Sequence, residues 1–176
     1  MPHITLPNLP GIRSLAAYRP ETGAPLYALA EILLRHSSIP QAEAELIAAF
    51  VSSQNDCVFC TCSHAAAARY LFGQEKSLVE AVMADYTTAP ISEKMKVLLT
   101  IAQCVQRDAR TVSDAHIAEA RLQGATDREI HDTVLIAATF CMFNRYVDGL
   151  ATLLPQNLSD YDPMGERMAT LGYVFP

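Results

Sequence analysis

The residues most able to do chemistry lie in one short stretch, Asn55-Asp56-Cys57-Val58-Phe59-Cys60-Thr61-Cys62-Ser63-His64. A C-x-x-C pair at the start of a helix is a redox arrangement. Side chains three residues apart on a helix reach each other. The unpaired N–H groups and positive potential of a helix N-terminus favour thiolate over thiol, so a reactive thiolate is expected here. At about 100° per residue, Cys57, Cys60 and His64 fall within ~60° of one another, whereas Cys62 points ~140° away from Cys57. His64 is one turn beyond Cys60 and two turns, roughly 10.5 Å of rise, beyond Cys57, which places it to serve Cys60. Glu45 precedes Cys57 by twelve residues. If the two helices pack antiparallel through the short turn at Gln54–Asp56, Glu45 returns alongside His64. A carboxylate there raises the proton affinity of the imidazole and makes it a better base. Structural zinc is the rival use of Cys57, Cys60, Cys62 and His64. The direction of Cys62 on a continuous helix argues against it, and the sequence holds no second ligand cluster.

Helices must position these groups. Leu26, Leu29, Ala30, Leu33 and Leu34 follow the i, i+3, i+4 rule from Pro25, and Ser37-Ser38-Ile39-Pro40 ends that helix. A second helix begins near Pro40, with Glu43 and Glu45 in its opening turns and Leu46, Ile47, Phe50 and Val51 on its apolar face. The cysteine helix runs from about Cys57 to Phe72, with Gly73 as its C-cap. Further helices are predicted over 77–86, from Ser92 to about Arg107, from Ser113 to Gly124, and over 127–150 behind a capping box at Thr126 or Asp127 with Glu129. No strand-period alternation of any length appears, so the expected class is all-α. The predicted organisation is an N-terminal arm (1–24), a helical domain (25–155) and a C-terminal tail (156–176) with a short helix near Gly165–Leu171. The arm carries Pro2, Pro7, Pro10 and Pro20 and is expected to be irregular. Its Leu6, Leu9, Ile12 and Leu15 need a surface, on the chain's own core or on a neighbouring subunit.

Composition narrows the function classes. The chain has 176 residues, 51% hydrophobic and 18% charged, with a net charge of −6. That is one domain with enough apolar material for a core. Nothing resembles a basic face, so nucleic acid is not an expected partner. The longest apolar run, Val134 to Phe143, is far short of the ~18 residues of a membrane span. The N-terminus lacks a basic segment followed by an apolar one, so no secretory signal is expected and the expected location is the cytoplasm. Five cysteines, odd in number and unevenly spaced, are no secreted disulfide framework. Cys104 and Cys141 read as small buried hydrophobes, and His116 and His131 as solvent-facing or hydrogen-bonded. Asn144, Arg145, Tyr146 and Asp148 are candidates for lining a pocket or meeting another subunit. Phe140 to Phe143 read as core, or as the wall of a substrate channel.

Glu45, eleven intervening residues, and Cys57-x-x-Cys60-x-x-x-His64 resemble the active-site signature of the AhpD-like alkylhydroperoxidases, within the carboxymuconolactone decarboxylase superfamily. The flanks Ile47-Ala48-Ala49-Phe50-Val51-Ser52 and Ser63-His64-Ala65-Ala66-Ala67 are similar too. Phe143-Asn144-Arg145-Tyr146-Val147-Asp148-Gly149-Leu150 resembles the terminal helix of the peroxidase-related branch. The resemblance spans roughly residues 25–155. It implies an AhpD-like helical bundle, a homo-oligomer of trimeric or hexameric kind, and reduction of alkyl hydroperoxides or hydrogen peroxide. It implies Cys60 as peroxidatic cysteine, Cys57 as resolving cysteine, and Glu45 with His64 as the proton relay. It implies no bound cofactor and no metal, but an external dithiol donor, a lipoylated or thioredoxin-like protein. The alternative is a disulfide oxidoreductase or redox sensor of the same fold; a vestigial, non-catalytic site is a third reading. The best-known members carry a second His just before the second cysteine, and here that position is Phe59.

Overall fold

The turn between the Glu45 helix and the cysteine helix sets the architecture. Helix α3 (Gln41–Gln54) ends at Asn55, and α4 (Val58–Phe72) starts three residues later with Cys57 at its N-cap. Asp56 takes a left-handed φ of 57°, a conformation that Asp tolerates better than most residues. The Cys57 N–H then donates back to the Ser52 carbonyl at 3.1 Å. The two helices therefore fold back on each other and make the most extensive helix pair of the molecule. Every residue of α3 from Ala44 to Ser52 is buried. The structure, a computed structural model, describes residues 1–175. Pro176, at the end of the predicted tail, lies outside the described residues.

The remaining helices enclose this hairpin, and all regular structure among the described residues is helical. They are α1 (Ile12–Tyr18), α2 (Pro20–Arg35), α5 (Ser77–Asp85), α6 (Glu93–Asp108), α7 (Asp114–Leu122), α8 (Asp127–Gly149) and α9 (Asp162–Leu171). The main core joins Leu33, Leu34, Leu46, Ile47, Phe50, Leu99, Ile136 and Phe140 from α2, α3, α6 and α8. A second cluster, Leu98, Ile101, Ala120 and Ile130, seats α7 against α6 and α8. Thr126 and Glu129 form the expected capping box of α8. The Ser38 N–H and hydroxyl both donate to Asp132 Oδ2, at 2.7 and 2.6 Å, which ties the α2–α3 connection to α8. None of these helices is long and apolar enough to cross a membrane.

The first 23 residues differ from the irregular arm expected. They contain α1 and the opening of α2, which begins at Pro20 and runs through Pro25. Pro20 occupies the first helical turn, where a missing N–H costs nothing. Pro20, counted among the prolines of an irregular arm, instead starts the helix, and Pro25, the expected start, lies inside it. The arm lies on its own chain: the His3 N–H donates to the Leu150 carbonyl at 3.1 Å and the Gly11 N–H to the Leu153 carbonyl at 2.9 Å.

Helix α9 lies against α4, and alanine and glycine make that approach possible. A Cβ at Gly165 would sit 2.6 Å from Ala66 Cβ, far inside van der Waals contact. Gly165→Ala must therefore push α9 off α4. The expected loss is about 1–3 kcal/mol, the usual cost of overpacking, read as a lower midpoint in thermal or urea unfolding.

Candidate active site

The Glu45 carboxylate is fully buried, at 0% exposure. Two donors reach it there. His64 Nδ1 lies 2.7 Å from Oε2, and the Tyr173 hydroxyl donates to Oε1 at 2.5 Å. The same hydroxyl is 3.3 Å from His64 Nδ1. A carboxylate only accepts, so it fixes the tautomer: Nδ1 carries the hydrogen and Nε2, on the opposite edge of the ring, keeps the lone pair. The imidazole is clamped as well. It stands edge-on to Phe140 at a centroid distance of 4.6 Å and stacks on Tyr173 at 6.1 Å and 11°. Burial and the adjacent Glu45 charge push the Tyr173 phenol well above its ordinary range, so it remains a donor at any physiological pH.

Cys57 and Cys60 are both buried free thiols that lie close together in one buried cluster. The helix N-terminus predicted a lowered thiol at Cys60, and the structure gives the opposite. The contact with Cys57 comes first and burial second, and together they push the Cys60 thiol well above its usual value. Burial away from water, and a neighbouring sulfur that competes to be the anion, cost the Cys60 thiolate more than the helix end returns. One group acts the other way: the nearby Asn144 amide lowers it. Asn144 is itself held by Asn55, whose amide donates to its Oδ1 at 2.8 Å, and by Ser52, whose hydroxyl accepts from its Nδ2 at 2.9 Å. Cys62 is half-exposed, and burial raises it too. Among the described residues, no three His, Cys, Asp or Glu side chains gather as a metal site.

Cys60 and His64 open onto one cavity of about 70 Å³, whose wall includes Phe59, Phe140, Phe143, Met168 and Tyr173. That is room for a few water-sized molecules. Phe140 and Phe143 are thus both core and cavity wall. Arg13, Tyr27 and Arg167 add polar groups to the lining. Phe59 is 3% exposed. Its ring occupies the place a Cβ would take at Gly11, which adopts φ +54°, and it meets the Tyr161 ring at 6.1 Å. The Tyr161 hydroxyl is buried with no hydrogen-bond partner among the described residues. Burial and the neighbouring thiols raise it to about 12.

Glu45, Cys57, Cys60 and His64 therefore come together. Asn144 and Asp148 belong with them: Asn144 touches Cys60, and the Asp148 charge raises it. Arg145 instead donates to the Cys141 carbonyl at 2.8 Å, within its own helix. His116 serves the Ser113 capping box. Tyr173 is the residue that sequence reasoning missed, since an aromatic two residues past a helix end carries no spacing signal toward Glu45. Asn144→Ala removes the amide that lowers Cys60. Its expected effect is slower alkylation of Cys60 by iodoacetamide at pH 8, by several-fold, followed by mass spectrometry of the Cys60 peptide.

Comparison with known proteins follows the same lines. Residues 75–153 match the model of the carboxymuconolactone decarboxylase family. That span begins after the Cys57–His64 helix and includes Phe140, Asn144 and Asp148. No curated protein matches the chain. Among solved structures, the chain is similar to an uncharacterized peroxidase-related protein from Silicibacter sp. TM1040, with 28% identity and a TM-score of 0.78, covering 87% of this chain and 78% of that one. A peroxidase-related protein with an alkylhydroperoxidase AhpD core, from Ralstonia eutropha JMP134, gives 23% identity and a TM-score of 0.78, over 89% of this chain and 81% of that one. A protein of unknown function from Agrobacterium tumefaciens, described as a candidate antioxidant defence protein AhpD, gives 22% identity and a TM-score of 0.72, over 81% and 97%. The chain has the fold of the AhpD-like helical proteins, and over residues 75–153 it carries the sequence pattern of the carboxymuconolactone decarboxylase family.

Proposed function

We propose that the protein is a thiol-dependent peroxidase that reduces alkyl hydroperoxides or hydrogen peroxide through Cys60 and Cys57. The observation that carries this reading is the shared cavity. Cys60 and His64 both open onto it, and Glu45 stands behind His64 at 2.7 Å.

The steps follow from the proton positions. Cys60 rests as a thiol, so the reaction begins with its deprotonation. His64 Nε2 takes the proton as general base, and Glu45 stabilises the imidazolium that results. The Asn144 amide stabilises the thiolate. The Cys60 sulfur attacks the terminal peroxide oxygen and the O–O bond breaks. Cys60 becomes a sulfenic acid, and the alkoxide leaves as an alcohol with the proton held by His64. The Cys57 sulfur then attacks the Cys60 sulfur, which forms a disulfide and releases water. An external dithiol reduces that disulfide by exchange and is itself oxidised. The cycle needs no metal or bound cofactor. The donor in this reading is a lipoylated or thioredoxin-like protein, and the setting is a reducing cytoplasm. Exposed apolar side chains, among them Val58, Leu154 and Leu158, support assembly into a trimer or hexamer.

Cys60→Ser should abolish peroxide consumption in a dithiol-coupled assay, and full activity in that variant would sink the assignment. Cys57→Ser should still reduce one equivalent of peroxide and stop at a sulfenic acid that dimedone traps.

The raised Cys60 thiol favours a second reading, a disulfide oxidoreductase or redox sensor of the same fold, because a protonated thiol meets peroxide slowly. Comparing the rate of Cys60 oxidation by peroxide with its rate of exchange with a small disulfide separates the two. Peroxide should be the faster oxidant at equal concentration. A faster disulfide would transfer the assignment to the second reading.

A further inference from the structure

We propose that Tyr173 is a positioning residue of the Glu45–His64 pair: its hydroxyl fixes the Glu45 carboxylate and sets the pH at which His64 can accept a proton. This rests on the peroxidase reading only for its effect on turnover. The effect on the pair itself stands apart from that reading.

Tyr173 is brought in from the far end of the chain. Helix α9 stops at Gly172, whose φ of +80° turns the backbone inward. The Tyr173 N–H then donates to Glu31 Oε2 on α2 at 2.8 Å, and the Phe175 ring stands edge-on to Tyr27 at 5.9 Å. With the backbone anchored there, the side chain reaches the Glu45 carboxylate and lies flat against His64. Glu45 is fully buried, so bulk water does not reach it. Without Tyr173 its Oε1 would be an unpaired anionic oxygen, because no other donor to it exists among the described residues.

The consequence has a definite sign. The pair Glu45–His64 holds one proton fewer in its working form than after it has taken the proton from Cys60. A donor to the carboxylate stabilises the form with more negative charge. Removing the donor therefore raises the proton affinity of the pair as a unit, and the pair fills with a proton at higher pH. Other charges face the pair from each packed element: Glu31 and Arg35 on α2 beside Tyr173, Asp148 on α8 beside Cys60, and Arg13 of α1 and Arg167 of α9 on the cavity lining. None of them changes in a Tyr173→Phe variant, which also keeps the ring stacked on His64.

The test is the titration of the His64 imidazole by NMR in the reduced wild-type protein and in Tyr173→Phe. The apparent pKa of the pair should rise by about one unit, a tenfold gain in proton affinity, as expected for losing a hydrogen bond to a charged group. The acid limb of the peroxide-turnover profile should move up by the same amount, through kcat rather than KM. An unchanged His64 midpoint overturns the proposal. Glu45→Gln provides a second arm if Tyr173→Phe does not fold: with the acceptor's charge gone, the Tyr173 phenol should ionise at lower pH than in the wild type, and unaltered ionisation overturns the proposal. If the His64 midpoint shifts while the wild type consumes no peroxide, the peroxidase reading fails and the role of Tyr173 stands.

Discussion

A carboxylate with no exposure, in the middle of a helix that is buried from Ala44 to Ser52, constrains everything built around it. Taking such a charge out of water costs several kcal/mol unless its oxygens are matched by donors. Glu45 has two oxygens and two donors, one from α4 and one from beyond α9. Each of those elements must therefore sit where it does. A shift of α4 along α3 by one residue would turn His64 away by about 100° and leave Oε2 bare. The buried anion acts as a register pin for the hairpin as well as a hydrogen-bond acceptor for the imidazole.

The same burial bears on the cysteines. Leu15, Phe59, Ala66, Val147 and Tyr161 close around Cys57 and Cys60, and the Cys60 thiol is pushed up. In the proposed reading, activation comes from a base that takes the proton during the encounter, with a donor near the sulfur anion; His64 serves as the first and Asn144 as the second. Asn144 is held in place by Asn55, which donates to its Oδ1, and by Ser52, which accepts from its Nδ2. The turn that reverses the chain after α3 thus also orients the group that steadies the thiolate.

Much of this frame was legible in the sequence because it is local. The spacing of Cys57, Cys60 and His64 fixes their shared face, and a three-residue turn leaves an antiparallel partner as the natural packing. The contact between Glu45 and His64 follows from those two facts. The caps at Gly73, Ser92, Ser113 and Thr126 were legible for the same reason. Tyr173 was not, because 109 residues separate it from His64 and its place depends on how closely α9 can approach α4. Nor was the direction of the Cys60 shift. It depends on how completely α1, α8 and the 158–161 turn bury the pair, which no helical period records. The arm was misread for a related reason: Pro20 reads in the sequence as a helix breaker, whereas in the first turn of a helix a proline is tolerated.

Phe59 shows how a single position redirects the chemistry. A histidine there would place a second titratable group beside Cys60. The ring instead fills the space over Gly11 and rests against Tyr161, so this position puts an apolar group beside Cys60. That position then offers no group to take a proton from Cys60. Asn144 can donate but cannot accept a proton at its amide nitrogen. In the proposed reading the proton goes to the His64 imidazole, so the hydrogen bonds behind that ring, from Glu45 and Tyr173, become part of what governs the sulfur's reactivity.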